Sequence, residues 1–263
     1  MLYDDQAARF DERAWIPPEV AEAAARALEE LAAPIRGQHW LEVGAGTGVL
    51  SLPILRLPVR YTGFDRSPGM LAVFREKLAR EGVSAELHEA DGNGRWPADD
   101  GSVSLVFGAR ALHHLDPEHV AAETRRVLAP SGGWLVAGRT RRLPDSVKAV
   151  LRRRMRRLLE AEGYAGRSHD ARMDSVFGAL QAAGARRLPP REVGRWTTLH
   201  RPADSLASWA GKSGLAGLDV PPEVKARVLT ELAARAREEY GALDHPLPQE
   251  ESFELSAVHL PAG

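Results

Sequence analysis

The stretch HWLEVGAGTG constrains this chain more than any other. An apolar run from His39 to Val43 is followed by Gly44, Gly46 and Gly48 at every second position, and then by a segment of helical pattern from about 48 to 56. Glycines at a junction between strand and helix let the backbone turn sharply. They also let it approach a ligand with no Cβ in the way, at the carboxyl edge of a sheet where ligands bind in α/β architectures. A glycine-rich turn can also exist without any ligand, so the loop needs company before it carries a function.

The rest of the first half supplies the architecture. Short apolar runs, HWLEVG, YTGFD, SAELHEAD, VSLVFGA and GWLVAGR, alternate with helical segments near 48–56, 67–81 and 117–129. Runs that are apolar nearly throughout, such as Val103 to Phe107, suit strands buried on both faces by helices. The spacing therefore predicts an α/β fold with a doubly wound, mostly parallel sheet. Two helices precede it, one around Tyr3 to Arg13 and one from Pro17-Pro18 to about Ala33, where proline is tolerated in the first turn. After Arg139 the rhythm changes. Helices are expected over 145–162, 172–183, 203–212 and 222–240, with strands around Arg195 to Leu199 and over SFELSAVHL (252–260). No repeat and no low-complexity linker divides the 263 residues, so one core domain with a helical insertion is expected.

Acids then appear where acids are useful. YTGFD ends the second strand with Asp65, 21 residues after Gly44, where a carboxylate can accept both hydroxyls of a ribose. HEADG ends the third with Asp91 and Gly92, placing a second acid at the same edge, although Asp before Gly and Asn is also a common turn former. The dinucleotide fingerprint would need Gly or Ala where this chain has Val49, which weakens a nicotinamide-dependent reading that Asp65 would otherwise permit.

In order and spacing, residues 39–139 resemble the class I S-adenosylmethionine-dependent methyltransferases. The stretch ARALHHLDPEHVAAETRRVLAPSGGWLVAG, with Pro130, Gly132 and Gly133 at its helix-to-strand turn, is similar to the quinone-biosynthesis-type subgroup that acts mostly on small molecules. The resemblance implies a seven-stranded Rossmann-like sheet whose last strand is antiparallel. It also implies a single domain divided into N-terminal helices that close the pocket (1–35), a cofactor-binding core (36–140), a largely helical cap (141–250) and a last strand (251–260). Its cofactor would be S-adenosyl-L-methionine, leaving S-adenosyl-L-homocysteine as product. The loop from Glu42 through Gly44, Ala45 and Gly46 to Gly48 would lie under methionine and ribose. Asp65 would hold the ribose and Asp91 the adenine amino group, with Arg66, Ser67, Met70, Gly92, Ala109 and His114 completing the pocket. Tyr3 and Phe10 would close over the acceptor, and Arg139, ending the fifth strand, would meet an acidic group on it.

His113 and His114, with Asp116, Glu118 and His119, are the one cluster suggesting a metal. Adjacent histidines on regular structure do not face one point, and carboxylates at a helix start serve its dipole, so no metal is expected. The histidines are instead candidates for catalysis, because imidazole can act as a base near neutral pH, or for plain packing. AGKSG at 210–214 lacks the first glycine of a phosphate loop, where Leu206 stands, and no GxSxG elbow is present.

Between Arg139 and Arg157 nine basic residues face one acid, Asp145. Val147, Val150, Leu151, Met155, Leu158 and Leu159 fall at helical spacing in that run, so Arg152, Arg153, Arg156 and Arg157 read as the solvated side of an amphipathic helix. An RNA methyltransferase using this segment, or a non-catalytic S-adenosylmethionine-binding module, are the alternatives to a small-molecule enzyme. No aromatic residue interleaves the run for base stacking. The formal net charge of −1 does not advertise nucleic acid, and no apolar stretch reaches the length of a membrane span. A charged start and zero cysteines suit a cytoplasmic setting, and the single asparagine (Asn93) gives a thermophile-like composition.

Overall fold

The computed structural model describes residues 11, 15–33, 37–165 and 169–262. The helix expected over 3–13 therefore lies outside the described residues apart from Asp11, as do Tyr3 and Phe10.

In chain order the elements are α1 (Pro18–Ala32), β1 (His39–Val43), α2 (Ser51–Ile54), β2 (Arg60–Asp65), α3 (Pro68–Glu81), β3 (Glu86–Glu89), β4 (Leu105–Ala109), a 3-10 turn (Leu112–His114), α4 (Pro117–Val127) and β5 (Gly133–Arg142). There follow α5 (Val147–Ala161), α6 (His169–Ala182), β6 (Arg186–Arg187), β7 (Arg191–His200), α7 (Pro202–Ala210), α8 (Pro222–Tyr240) and β8 (Leu247–Leu260). Local chemistry sets the helix starts. Pro18 opens α1, Ser67 Oγ accepts the Met70 amide at the head of α3, and Asp116 Oδ1 accepts the His119 amide at the head of α4. Gly82, at φ +67°, ends α3 in the left-handed conformation that glycine adopts freely.

Seven strands follow one path in the order β3-β2-β1-β4-β5-β8-β6, and an eighth, β7, pairs with β8. The pairs β1/β2, β1/β4, β2/β3 and β4/β5 are parallel, with Leu41 opposite Thr62 on one side and Val106 on the other. β6 and β8 run antiparallel. All five residues of β1 are buried, as the apolar reading required of a strand covered on both faces. The sheet is Rossmann-like with an antiparallel last strand; β7 is the strand expected around Arg195 to Leu199, and the two-residue β6 is the addition to the seven expected.

The chain forms two compact units. The first comprises 1–140, 169–194 and 253–263, and the second 141–168 and 195–252. This division cuts through the segment expected to be a single cap over 141–250. The reason lies in α6: Val176, Phe177 and Leu180 are buried in the same apolar cluster as Leu41, Val106, Leu112 and Val120. Sequence spacing identified a helix there but not the surface it covers. The second unit has its own core. Val147, Leu151, Met155 and Leu159 on α5, and Val224, Val228, Leu232 and Ala236 on α8, form two stripes with a four-residue repeat, joined by Trp209 of α7. No helix among the described residues is long and apolar enough to cross a membrane.

Leu180 is fully buried in the first unit. Leu180→Ala should lower unfolding stability by about 2–5 kcal/mol in urea titration, the range for deleting a core leucine. A change within about 0.5 kcal/mol would mean that α6 is a peripheral helix and not part of that core.

Candidate active site

The site is built where β1, β2, β3 and β4 end. Gly44, Gly46 and Gly48 all have positive φ, at +72°, +54° and +78°. Two of them have filled space behind them. A Cβ on Gly44 would sit 2.4 Å from the Ala111 Cβ, and one on Gly48 would lie 2.2 Å from the Phe74 ring. Gly46 differs, since among the described residues a Cβ there would meet nothing closer than the Gly44 carbonyl at 4.0 Å. The amides of Gly44 and Ala45 both donate to the Phe64 carbonyl at 2.9 Å, which fastens the loop to β2.

Asp65 completes the loop. Its Oδ2 accepts the Gly46 amide at 3.0 Å and its Oδ1 the Ser67 amide at 2.9 Å, so one carboxylate fixes both the glycine loop and the start of α3. Burial raises the Asp65 pKa, against the pull of those two amides. Ser67 and Met70 are buried, Ser67 through its capping role, while Arg66 is exposed.

Glu42 faces inward. Its Oε2 accepts the hydroxyls of Ser51 and Tyr61, each at 2.7 Å, bracing β1 against α2 and β2. Burial pushes its pKa up to about 7, with the two hydroxyl donors opposing the shift. Three further partners carried no sequence signal. Asp11 accepts the Thr47 hydroxyl at 2.5 Å and the Lys77 ammonium at 2.5 Å, while Lys77 also donates to the Thr47 carbonyl at 2.9 Å. A residue near the start of the chain is thereby tied to the glycine loop.

Asp91 is exposed at the end of β3, with its Oδ1 accepting the Asn93 amide at 3.0 Å and its carbonyl the Gly94 amide at 2.8 Å. It is thus a turn former, as the second reading of HEADG expects. Asn93 in turn accepts the Asp116 amide at 2.9 Å, and His119 meets the Gly94 carbonyl at 2.9 Å, which joins this loop to α4. Gly92 is buried beneath Leu115, and its carbonyl accepts the Trp96 indole N–H at 2.9 Å.

At the end of β4, Ala109 is half-buried and Arg110 has φ +56°. A non-glycine residue in the left-handed region is strained, and such strain gathers at functional sites. Nothing in the residue types marks it beforehand. His113 is half-buried and His114 exposed, with ring centroids 4.0 Å apart. The 3-10 turn brings the two rings nearer than regular secondary structure would. The His113 carbonyl accepts an N–H of Arg172 on α6 at 3.3 Å. No cluster of metal-ligating side chains occurs among the described residues.

Arg139 donates from Nε and from a terminal nitrogen to Glu254 Oε1, at 2.9 and 2.6 Å. An acidic group on an acceptor would have to displace Glu254 to reach it. In the basic run, Arg152, Arg153, Arg156 and Arg157 are exposed as expected, but Arg153 donates to the Pro144 carbonyl and Arg154 pairs with Glu239.

A family model described as a methyltransferase domain matches residues 41–132, from β1 to the end of the α4–β5 turn. Residues 41–132 are a methyltransferase domain. The domain has the class I architecture, with the glycine loop after β1 and acids after β2 and β3. An uncharacterized methyltransferase of Mycobacterium tuberculosis is 33% identical over 103 residues, which span 38% of this chain and 39% of that protein. A ubiquinone biosynthesis O-methyltransferase of Nitrosococcus oceani is 26% identical over 184 residues, spanning 70% and 65%. The chain thus matches about two-fifths of the first relative's length and about two-thirds of the second's. Among solved structures, the YcgJ protein from Bacillus subtilis matches with a TM-score of 0.56 at 18% identity, covering 93% of this chain and 99% of its own. A geranyl diphosphate methyltransferase in complex with SAM matches with a TM-score of 0.50 at 13% identity, covering 90% and 84%. At such identities these two structures speak for the fold of the methyltransferase domain alone.

Because Glu42 ionises near pH 4.5 when unfolded and near 7 when folded, its contribution to stability is fully present below about pH 4.5 and lost as pH rises through 7. Glu42→Gln keeps an acceptor for Ser51 and Tyr61 without the charge. Urea titrations between pH 5 and 8 should show the unsubstituted protein losing stability relative to this variant, on the order of 3 kcal/mol. Parallel pH profiles would contradict a buried protonated Glu42.

Proposed function

We propose that this chain is an S-adenosylmethionine-dependent methyltransferase that moves a methyl group to a small-molecule acceptor by in-line displacement. The observation that carries the reading is the convergence of the glycine loop at Gly46, the Asp65 carboxylate and the Asp91 turn at one edge of neighbouring parallel strands. The name of the Nitrosococcus oceani relative supports a small organic acceptor.

The residues present fit the cofactor. A carboxylate has about four lone-pair positions, and the two amides that Asp65 accepts leave it able to receive both hydroxyls of a ribose. No described side chain crowds the Gly46 backbone, which suits the approach of a ribose and methionine chain. Asp91, exposed at the end of β3, is the partner for an adenine amino group, with Gly92, Met70, Ser67 and Ala109 around it. When bound, S-adenosylmethionine supplies an electrophilic methyl group on a sulfonium centre.

What the chain contributes is chiefly position. The loop amides are held by Phe64 and Asp65, so the chain's own hydrogen bonds fix the loop's conformation and lower the cost of ordering it around a ligand. Holding an acceptor nucleophile about 3–3.5 Å from the methyl carbon in a dry site supplies several kcal/mol without a covalent intermediate. Where that nucleophile carries a proton, His113 or His114 takes it, imidazole being the side chain that titrates nearest neutral pH.

Titration calorimetry with S-adenosylmethionine and S-adenosylhomocysteine tests the site. Asp65→Ala should weaken both by about 1.5–3 kcal/mol, the range for hydrogen bonds to a charged group. Unchanged affinity would remove Asp65 from the ribose, and tight binding with no methyl transfer to any acceptor in a metabolite extract would favour a non-catalytic module.

A further inference from the structure

The second unit contains a group of charges that neither its core nor the methyl-transfer reading uses. Opposite the α5–α8 apolar stripes, its interior is polar: Ser146, Ser205, Gln249, Glu251 and Ser252 are all more than nine-tenths buried. Lys148, one residue into the first turn of α5, is half-buried among them. Its backbone amide donates to Gln249 Oε1 at 3.3 Å, but among the described residues its ammonium has no carboxylate at ion-pairing distance.

The charges around it are unbalanced. Arg142, Arg152 and Lys212 act on Lys148 as like charges, and Glu251 is the acid that opposes them. Glu251 is already engaged: its Oε1 accepts Gln249 Nε2 at 2.8 Å and lies 2.7 Å from Arg142 Nε, at an angle that leaves this nitrogen without a directed hydrogen bond. His200, packed nearby with Nε2 2.8 Å from Ser205 Oγ, feels Lys148, Arg142 and Asp204. Burial and the two cations hold it neutral, with a pKa near 4, so it adds no charge but can serve as a donor. Burial and its cationic neighbours also lower Lys148 to about 8, still mostly charged at neutral pH. Ser146 caps the amino end of α5, and its hydroxyl is buried without a hydrogen-bond partner.

A half-buried ammonium among like charges, with no carboxylate at ion-pairing distance, is unfavourable unless something compensates it. Among the described residues, the Lys148 ammonium and the Ser146 hydroxyl are the groups left without a partner, both at a helix amino terminus. We propose that this part of the second unit, centred on Lys148 with Arg142, Arg152 and Ser146, is a binding site for the oxyanion of a small molecule, a carboxylate or phosphate group. The site belongs to the second unit alone, and its test reads anion binding and not methyl transfer.

The experiment is titration calorimetry of the full chain with inorganic phosphate, pyrophosphate and malonate at low ionic strength, alongside S-adenosylhomocysteine as an independent ligand. At least one of the three anions should bind saturably in the millimolar range or tighter, the phosphate and malonate arms separating the two oxyanion types. Lys148→Gln and the exposed Arg152→Gln should each weaken that binding at least tenfold while leaving S-adenosylhomocysteine unchanged, which also reports on folding. Glu251→Gln should tighten it, because it removes the competing carboxylate, an effect that loss of structure would not produce. Absence of saturable anion binding would overturn the proposal. So would anion affinity indifferent to all three substitutions, or binding confined to an RNA oligonucleotide with none for the small anions.

Discussion

Space behind the first loop governs the rest of this molecule. Ala111 and Phe74 stand where the Cβ atoms of residues 44 and 48 would lie, so the chain leaving β1 must turn in the left-handed region. Only glycine makes such a turn without strain. The turn then delivers the Gly46 amide to Asp65, and Asp65 delivers its other oxygen to Ser67, which caps α3. One packing constraint is thus carried across two strands and a helix start, and it leaves a bare stretch of backbone at the sheet edge.

Much of this was legible in the residues. The glycine spacing, Asp65 and Asp91 marked the edge, and strands apolar nearly throughout announced a sheet covered on both faces. Less legible were contacts made at long range. Asp11 reaches Lys77 and Thr47, and Tyr61 and Ser51 reach Glu42, through pairings that no local period reports. The left-handed Arg110 was hidden because its conformation is imposed by surroundings and not by its side chain. Arg139, expected to end the fifth strand, lies inside β5, which runs on to Arg142, and Glu254, 115 residues away, engages its guanidinium.

The helices after β5 show the same limit at larger scale. Amphipathic spacing found α5, α6, α7 and α8 with small shifts at their ends, but it could not say which core each one serves. α6 joins the first unit because Val176, Phe177 and Leu180 have apolar partners on β1, β4 and α4, whereas the four-residue stripes of α5 and α8 are complementary to each other. In the basic run the four arginines expected on the solvated side are exposed, while Arg154 pairs with Glu239 and Lys148 is half-buried.

Asn93 has a consequence for how this protein ages. It is the only asparagine in the chain, and glycine follows it, the pairing in which a backbone nitrogen most readily attacks the side-chain amide and releases ammonia. Here the attacking nitrogen, that of Gly94, donates to the Asp91 carbonyl, and the side-chain oxygen of Asn93 accepts from Asp116. The nucleophile is held in a hydrogen bond that the reaction would have to break, and the Asp116 contact fixes the side-chain amide in place. The turn that presents Asp91 at the sheet edge therefore also slows deamidation of the chain's one asparagine.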